Sequence, residues 1–193
     1  MSKILSIFVI GSVVLAACSS ARQATSITPA PQPTIQPTVL PTPSSPGSSI
    51  AWDHLQVTMD QLEITQDYMT DFGSSRTPTE VNKFLWVHVR LKNTGQIEMN
   101  VPASEHFSIL YAGTELKPTY GHRAQYIDYT TLGLAIFPDQ ELDGWLRFDI
   151  PTAAEPRDLR FVFLPESSQV GASYGSPSYP YADDKPTYVW NCD

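Results

Sequence analysis

The sequence predicts an all-β fold, in the form of an antiparallel β-sandwich of about seven strands. Three observations support this prediction. Apolar and polar residues alternate in short stretches from residue 50 onward. Prolines stand at the ends of these stretches, where the missing N–H group does no harm to a strand. No stretch shows a sustained 3.6-residue period with helix caps, so long helices are not expected.

The chain begins with an apolar segment that is too short to span a membrane. Lys3 precedes an almost wholly apolar run of 14 residues, from Ile4 to Ala17. A spanning helix needs about 20 such residues. A basic residue followed by a run of this length is typical of a secretory signal peptide. We therefore assign residues 1–17 to a signal peptide.

The end of this run has a specific pattern, Leu15-Ala16-Ala17-Cys18. It resembles the lipobox of bacterial lipoproteins, in which an aliphatic residue and two small residues precede an obligatory cysteine. The resemblance implies that the Cys18 thiol carries a diacylglyceryl group and that cleavage separates Ala17 from Cys18. Two or more acyl chains hold a protein stably on a membrane. We expect a cell-envelope protein anchored at Cys18 on the extracytoplasmic face; an ordinary secreted protein or an uncleaved anchor is the alternative.

Residues 18–49 combine the lipidated cysteine with a linker rich in proline, threonine and serine. Seven prolines lie between positions 29 and 46, no acid occurs, and Arg22 is the only base. This composition cannot bury a core, so we expect a disordered segment that favours extended polyproline II. At about 3.1 Å per residue it could reach at most about 95 Å. A proline-rich ligand for a groove-type domain is the alternative to a simple stalk.

The first predicted strands follow in order. Leu55, Val57 and Met59 alternate with polar residues, and Leu62 and Ile64 continue the alternation after a slip of one residue. Such a slip indicates a β-bulge.

A short helix is the next predicted element. It spans residues 75–80, with Thr77 as N-cap and Pro78 at the first helical position.

The strand Phe84–Leu91 reads FLWVHVRL and divides its side chains between two faces. Leu85, Val87, Val89 and Leu91 fall on one face, as expected for the core. The opposite face carries Phe84, Trp86, His88 and Arg90. A solvated side chain is expected for His88 on that face, and Phe84 with Trp86 could form a flat aromatic surface for a partner.

The remaining strands end the sandwich at residue 165. A turn is predicted at residues 93–95 and a hairpin at Ala112-Gly113. Alternation over residues 142–150 and again over residues 159–163 predicts two further strands. The sandwich domain is thus assigned to residues 50–165 and a tail rich in tyrosine and proline to residues 166–193.

Three motifs resemble a known family. LWVHVRLKNTGQ, FSIL followed by AGTEL, and FPDQELDGWLRFDIP look like the domain of unknown function number 4352, over roughly residues 52–164. The resemblance implies an immunoglobulin-like, telokin-like sandwich and supplies no activity. Asp139 departs from the family pattern, which usually has glycine there.

The stretch Pro138–Trp145, PDQELDGW, raises the question of a calcium loop. Asp139, Glu141 and Asp143 match the first ligand positions of such a loop, but its twelfth position falls on Ile150, which cannot chelate. The alternation that starts at Leu142 also predicts a strand, which would carry the chain away from an ion. We therefore predict a turn entering a strand, with Gly144 facing inward.

Few residues in the sequence suggest a metal site, a cofactor site or a catalytic site. The four histidines, His54, His88, His106 and His122, are not at metal-ligand spacing, and no nucleophile or phosphate-loop motif occurs. We expect neither a metal site nor a cofactor nor catalytic residues. The residues after position 50 carry all 20 acids against 10 of the 12 bases. This charge argues against binding nucleic acid, which requires a basic surface.

The tail supplies the remaining candidates for partner contact. Tyr179, Tyr181 and Trp190 bring contact area with few rotatable bonds; the alternative is that residues near Trp190 pack on the sandwich as an edge strand. Cys192 is the only cysteine besides Cys18, so we expect it to be free or to pair between chains. The resulting hypothesis is a lipid-anchored, non-catalytic binding or structural module for an envelope protein or polysaccharide. The rival is an extracytoplasmic enzyme, or an enzyme accessory subunit, whose site is not visible in the sequence.

Overall fold

The computed structural model describes residues 41–165 and 186–193 of the chain. The predicted signal peptide, Cys18, most of the linker and the tail residues Tyr179 and Tyr181 lie outside this range. Within it, the strands in chain order are β1 (Ser49–Trp52), β2 (Leu55–Thr65), β3 (Tyr68–Met69), β4 (Ser75–Arg76), β5 (Asn82–Asn93), β6 (Met99–Asn100), β7 (Phe107–Tyr111), β8 (Thr114–Leu116), β9 (Ala135–Ile136), β10 (Glu141–Pro151), β11 (Leu159–Phe163) and β12 (Tyr188–Asn191).

Two four-stranded sheets form the body of the domain. The first sheet has the order β1-β2-β5-β10 and the second the order β12-β11-β7-β8. All neighbouring strands in both sheets are antiparallel. Two short strand pairs lie outside them, the hairpin β3-β4 and the pair β6-β9, whose strands are far apart in the chain. Short 3-10 helices occur at Ser104–His106, Tyr129–Thr131 and Pro156–Asp158. In the described residues no helix has the length and apolar character required to cross a membrane.

The two sheets share one hydrophobic core, which confirms the predicted β-sandwich. From the first sheet the core takes the alternate residues Leu85, Val87, Val89 and Leu91, and from the second it takes Phe107, Phe161 and Trp190, among others. Phe107 stacks on Phe161 with 5.6 Å between ring centroids. Burial of large apolar side chains from facing sheets is the main source of stability in such a fold.

Several local predictions are confirmed. The pairing of β2 with β5 shifts between Met59 and Gln61, so Asp60 is the extra residue of a bulge. The hairpin at Ala112-Gly113 has positive φ at both residues, 48° and 79°. A turn at residues 138–139 leads into β10. Gly144 is buried, and a Cβ atom there would lie 2.8 Å from Tyr129 Cα, so only glycine fits this close approach.

The predicted helix at residues 75–80 is wrong. Ser75 and Arg76 instead pair with Met69 and Tyr68 in the β3-β4 hairpin, and no helix follows them. A single turn of helix is too short to be stable by itself. The hairpin forms instead of the helix because the Tyr68 ring packs on Phe84 and Trp86 of the first sheet.

The folded domain begins before residue 50, within the stretch assigned to the linker. The Ser44 N–H donates to Val189 O at 2.8 Å, and the Asn191 N–H donates to Ser44 O at 2.9 Å. Ser44 is thereby held by β12, the edge strand that was one of the two alternatives for the tail. All described strand pairs and bridges lie within residues 44–191. A protein shortened to begin at Ser19 therefore keeps every one of them.

Candidate functional site: a groove on the outer face of the first sheet

The outer face of β5 is covered, contrary to the prediction of a flat aromatic surface. Phe84 and Trp86 are only 4% and 1% exposed. The ring of Tyr68, from the β3-β4 hairpin, packs edge-on against both, with centroid distances of 5.1 and 5.0 Å. The ring of Tyr126 packs against Trp86 from the other side at 5.6 Å. Phe84 and Trp86 therefore support the segments that cover them and do not form a flat exposed surface for a partner.

The segment around Tyr126 is fixed to the sheet by charge and by stacking. Tyr126 stacks on Trp145 with 4.1 Å between ring centroids. The Arg123 guanidinium lies over the Tyr126 ring at 4.3 Å and donates to Glu63 Oε1 at 2.7 Å. The Tyr126 hydroxyl donates to the other oxygen of Glu63. These contacts join the segment that follows β8 to strands β2 and β10.

Hydrogen bonding and burial change the acidity of this cluster. The Arg123 hydrogen bond holds the pKa of Glu63 below its usual value of 4.5. Burial, together with the hydrogen bond to Glu63, raises the pKa of Tyr126 to about 12. Both groups therefore keep their charge state across the neutral range. The ion pair between Glu63 and Arg123 therefore holds the segment around Tyr126 on the sheet throughout this pH range.

Between the two covering segments lies an open groove of about 560 Å³, which we call the outer-face groove. This volume is within the range of about 300–1,000 Å³ that is usual for small-ligand sites. Its walls come from three parts of the chain: the β3-β4 hairpin with the residues after it, the segment at residues 120–122, and the facing ends of β5 and β10. Its lining residues are Tyr68, Thr70, Phe72, Ser74, Arg76, Thr77, Pro78, Thr79, Asn82, Phe84, Tyr120, Gly121, His122, Arg147 and Asp149.

Arg147 is the central polar residue of the groove. Its Nη1 donates to the Tyr68 hydroxyl at 2.8 Å, and its Nε donates to Thr119 Oγ1 at 3.0 Å. Its guanidinium also lies 5.1 Å from the centroid of the Phe84 ring. These hydrogen bonds use two of the five N–H donors of the guanidinium. Three donors remain, on a side chain that is 14% exposed and already held in place.

Asp149 lies beside Arg147 on the same wall. Its Oδ2 is 3.8 Å from Arg147 Nη2, and its Oδ1 is buried with no hydrogen-bond partner. The carboxylate is thus only partly satisfied by its surroundings. Gly121 lies against the same pair, because a Cβ atom there would be 2.6 Å from Arg147 Nη1. The groove therefore carries one donor group and one acceptor group side by side.

Two aromatic rings stand exposed on the rim of the groove. Phe72 is 89% exposed and Tyr120 is 71% exposed. The Tyr120 ring packs edge-on against His122 at 4.8 Å, and His122 Nδ1 lies 3.4 Å from Asp128 Oδ2. These two rings, next to the groove, are the candidates for ligand contact on this face. No periodic signal in the sequence pointed to this rim, because Phe72, Tyr120 and His122 lie outside the long strands.

His88 is buried, and this corrects the prediction of a solvated side chain. It is 8% exposed, with Nδ1 2.7 Å from Asp60 Oδ1 and Nε2 3.2 Å from Asp143 Oδ1. Arg90 donates to the other oxygen of Asp60 at 2.6 Å and lies 3.3 Å from Glu141. The bulge in β2 causes this arrangement, since its extra residue, Asp60, supplies the carboxylate that the alternation does not predict.

Two of the three carboxylates of the PDQELDGW stretch are thus paired with basic side chains of β5, although both are about half exposed. Asp143 faces His88 and Glu141 faces Arg90, while Asp139 lies in the turn with φ of 60°. Among residues 41–165 and 186–193, no group of three or more His, Cys, Asp or Glu side chains is arranged to hold a metal ion.

Two candidates at the end of the chain are corrected. Trp190 is fully buried and its Nε1 donates to Ser48 O at 2.8 Å, so it is a core residue rather than a contact for partners. Cys192 is a free thiol, but it is 4% exposed. Burial raises its pKa to about 12. Pairing between chains is therefore not available to Cys192 in the folded state, because β12 carries it onto the core.

Comparison with solved structures supports the fold. The yjhA protein from Bacillus subtilis superposes with a TM-score of 0.55 at 17% identity, covering 77% of this chain and 99% of that chain. A functionally unknown protein from Listeria monocytogenes EGD-e gives a TM-score of 0.52 at 11% identity, with coverage of 77% and 82%. Likeness at these identities concerns the fold alone.

The sequence itself identifies the family. No curated protein matches the chain. The domain of unknown function DUF4352 matches residues 45–170. The match begins at the residue after Ser44, where the described pairing begins, and it covers more than half of the 193 residues. The chain therefore belongs to the family described as "Domain of unknown function (DUF4352)".

Proposed function

We propose that this protein is a lipid-anchored cell-envelope protein whose β-sandwich is a non-catalytic binding module. Cys18 carries the anchor, residues 19–43 form a stalk, and the outer-face groove binds a component of the envelope. The proposal includes an immunoglobulin-like, telokin-like topology for the sandwich. The observation that carries the binding role is the groove, with Arg147 held in its wall and two exposed rings on its rim.

The anchor rests on the residues at the start of the chain. Leu15, Ala16 and Ala17 precede Cys18 at the end of an apolar run of 14 residues. The chain has a formal net charge of −8 at pH 7, which opposes direct adsorption to anionic lipid. Attachment by acyl chains at Cys18 does not depend on that charge. The stalk then separates the folded domain from the membrane surface.

The binding role rests on the shape of the groove and on the fixed position of the Arg147 guanidinium in its wall. Arg147 presents a guanidinium group, which supplies N–H donors and no acceptor, so it is suited to binding and not to proton transfer. Its two hydrogen bonds and its ring contact hold the guanidinium in position before a ligand arrives. Such preorganisation lowers the entropy cost of binding.

The anchor is tested with the full-length chain in its own host or in a bacterium that processes lipoproteins. Cys18→Ser should abolish the acyl mass at the mature N-terminus and leave the precursor uncleaved. Mass spectrometry of the wild-type protein should show a lipidated Cys18 as its first residue. An unmodified Cys18 in the mature protein would refute the anchor.

The binding role is tested with the protein that begins at Ser19. We measure its retention on washed envelopes of the producing bacterium by sedimentation. Tyr120→Ala should reduce the retained fraction strongly, because it removes a rim ring without touching the core. Phe137→Ala is the matched control: this aromatic residue is also exposed, at 56%, but it lies at the opposite end of β10. Equal retention of the two variants would refute binding through the groove.

A further inference from the structure

We infer that the ligand of the outer-face groove is an uncharged saccharide, held by ring stacking at the rim and by hydroxyl hydrogen bonds at Arg147 and Asp149. This inference rests on the proposed binding role of the groove and names the chemical class of its ligand.

The rim supplies flat apolar surface. Phe72 and Tyr120 expose 89% and 71% of their surface at the rim. A pyranose ring presents C–H groups on one face, and such a face packs on an aromatic ring with its polarised C–H bonds toward the π-system. Tyr120 is also oriented in advance by His122, whose ring is 4.8 Å away. His122 is itself held beside Asp128.

The wall of the groove supplies paired hydrogen-bonding groups. Arg147 retains three N–H donors beyond its two described hydrogen bonds, and Asp149 adds carboxylate acceptors 3.8 Å away. A sugar hydroxyl both donates and accepts, so neighbouring hydroxyls on one ring can satisfy the guanidinium and the carboxylate together. Asn82 brings a further amide to the same groove. A ligand that is only a donor or only an acceptor would leave one of the two charged groups unsatisfied.

The charges of the groove disfavour the other ligand classes. An anion attracted to Arg147 also meets Asp149 within the same wall and the net charge of −8 on the chain. A cation meets Arg147 and the exposed Arg76. A wholly apolar ligand would cover the guanidinium without giving it a partner, which is costly. An uncharged polyhydroxylated ring avoids all three penalties.

The first experiment uses chemistry that is specific for sugars. Envelopes are treated with mild periodate, which cleaves vicinal diols, or with a broad protease, and the retention of the protein that begins at Ser19 is measured on each. Retention should fall at least about tenfold after periodate and persist after protease. Retention that depends on Tyr120 but survives periodate would overturn the saccharide and leave the binding role standing. Retention that does not depend on Tyr120 would refute the binding role itself.

The second experiment uses defined ligands. Neutral oligosaccharides of glucose and of mannose, whose rings keep neighbouring free hydroxyls, are compared with oligogalacturonate, an anion, by isothermal titration. A neutral oligosaccharide should bind saturably. Asp149→Asn should weaken its binding by about tenfold or more, the loss expected for a hydrogen bond to a charged group, and Tyr120→Ala should weaken it through loss of the stacking ring. Arg157→Ala, at an exposed site outside the groove, should bind as the wild type does. Binding of the anion alone, or of no neutral sugar, would overturn the inference; thermal melts of each variant establish that it is folded.

Discussion

Arg147 Nη1 donates a hydrogen bond of 2.8 Å to the hydroxyl group of Tyr68. This bond joins β10, an edge strand of the first sheet, to the β3-β4 hairpin that covers its outer face. Tyr68 also packs on Phe84 and Trp86. The Met69 carbonyl of the same hairpin also accepts from the Ala124 N–H at 2.8 Å. The position of the hairpin, and with it one wall of the groove, therefore depends on these two polar contacts above an aromatic layer.

Tyr68→Phe should destabilise the protein by about 1–2 kcal/mol, because it removes a hydrogen bond to a charged group at a site that is 6% exposed. The ring contacts stay in place, so the loss reports on the hydroxyl alone. Urea unfolding of the protein that begins at Ser19 measures the change. Tyr120→Phe, whose hydroxyl has no described hydrogen bond on an exposed ring, should change stability by less than about 0.5 kcal/mol. Equal effects of the two substitutions would show that the Arg147 contact does not stabilise the hairpin.

Gly144→Ala should destabilise the protein by about 1–3 kcal/mol, the usual range for overpacking. The new methyl group would lie 2.8 Å from Cα and 3.0 Å from N of Tyr129, and backbone atoms cannot move aside cheaply. Gly133→Ala is the control, since its nearest neighbour is a carbonyl oxygen at 3.8 Å. Thermal melts measure both variants. A tolerated Gly144→Ala would mean that the 3-10 helix at residues 129–131 lies farther from β10 than described.

Cys192 should be unreactive toward thiol reagents in the folded protein and should react fully after unfolding. With its pKa raised to about 12, roughly one thiol in 10⁴ is ionised at pH 8, and the thiolate is the reactive form. The folded pKa lies above the unfolded value of 9.0, so the thiol contributes stability below pH 9 that is lost as the pH rises toward 12. Titration with a chromogenic disulfide, native and then in denaturant, measures this. Rapid labelling of the native protein, or dimers on non-reducing gels, would contradict the burial of Cys192.

The ion pair between Glu63 and Arg123 should lose its contribution to the free energy of unfolding in acid. Its pKa is lowered by the Arg123 hydrogen bond, so its contribution to stability is present above pH 4.5 and is lost as the pH falls through the folded value. Glu63→Gln should therefore be less stable than the wild type at pH 7, and the difference should shrink below pH 4.5. Urea midpoints at pH 7 and pH 3 measure it, with the exposed Glu98→Gln as control. A difference that stays constant between the two pH values would exclude an ionic role for Glu63.

Alternation in the sequence predicted the parts of the fold that obey a two-residue period. The division of β5 into a core face and an outer face, the bulge after Met59 and the inward Gly144 all follow from it. These features depend only on neighbours along one strand. For that reason a single sequence was enough to place them.

The groove could not be predicted in this way. Its walls come from segments that are irregular or form two-residue strands, such as the β3-β4 hairpin and residues 120–122. Their position depends on contacts between residues far apart in the chain, for example Arg123 with Glu63 and Arg147 with Tyr68. The outer residues of β5 consequently seemed open to solvent. His88 was misjudged for the same reason, because its carboxylate partners come from two other strands.

Photo-crosslinking in the living cell tests the central claim, that the outer-face groove contacts the envelope, most directly. A benzophenone amino acid is placed at position 120 or at position 137 of the full-length, membrane-attached protein. Both sites are exposed, and they lie at opposite ends of β10. The account predicts crosslinked envelope material from position 120 and little or none from position 137. Crosslinks from position 137 alone, or the same products from both positions, would contradict it.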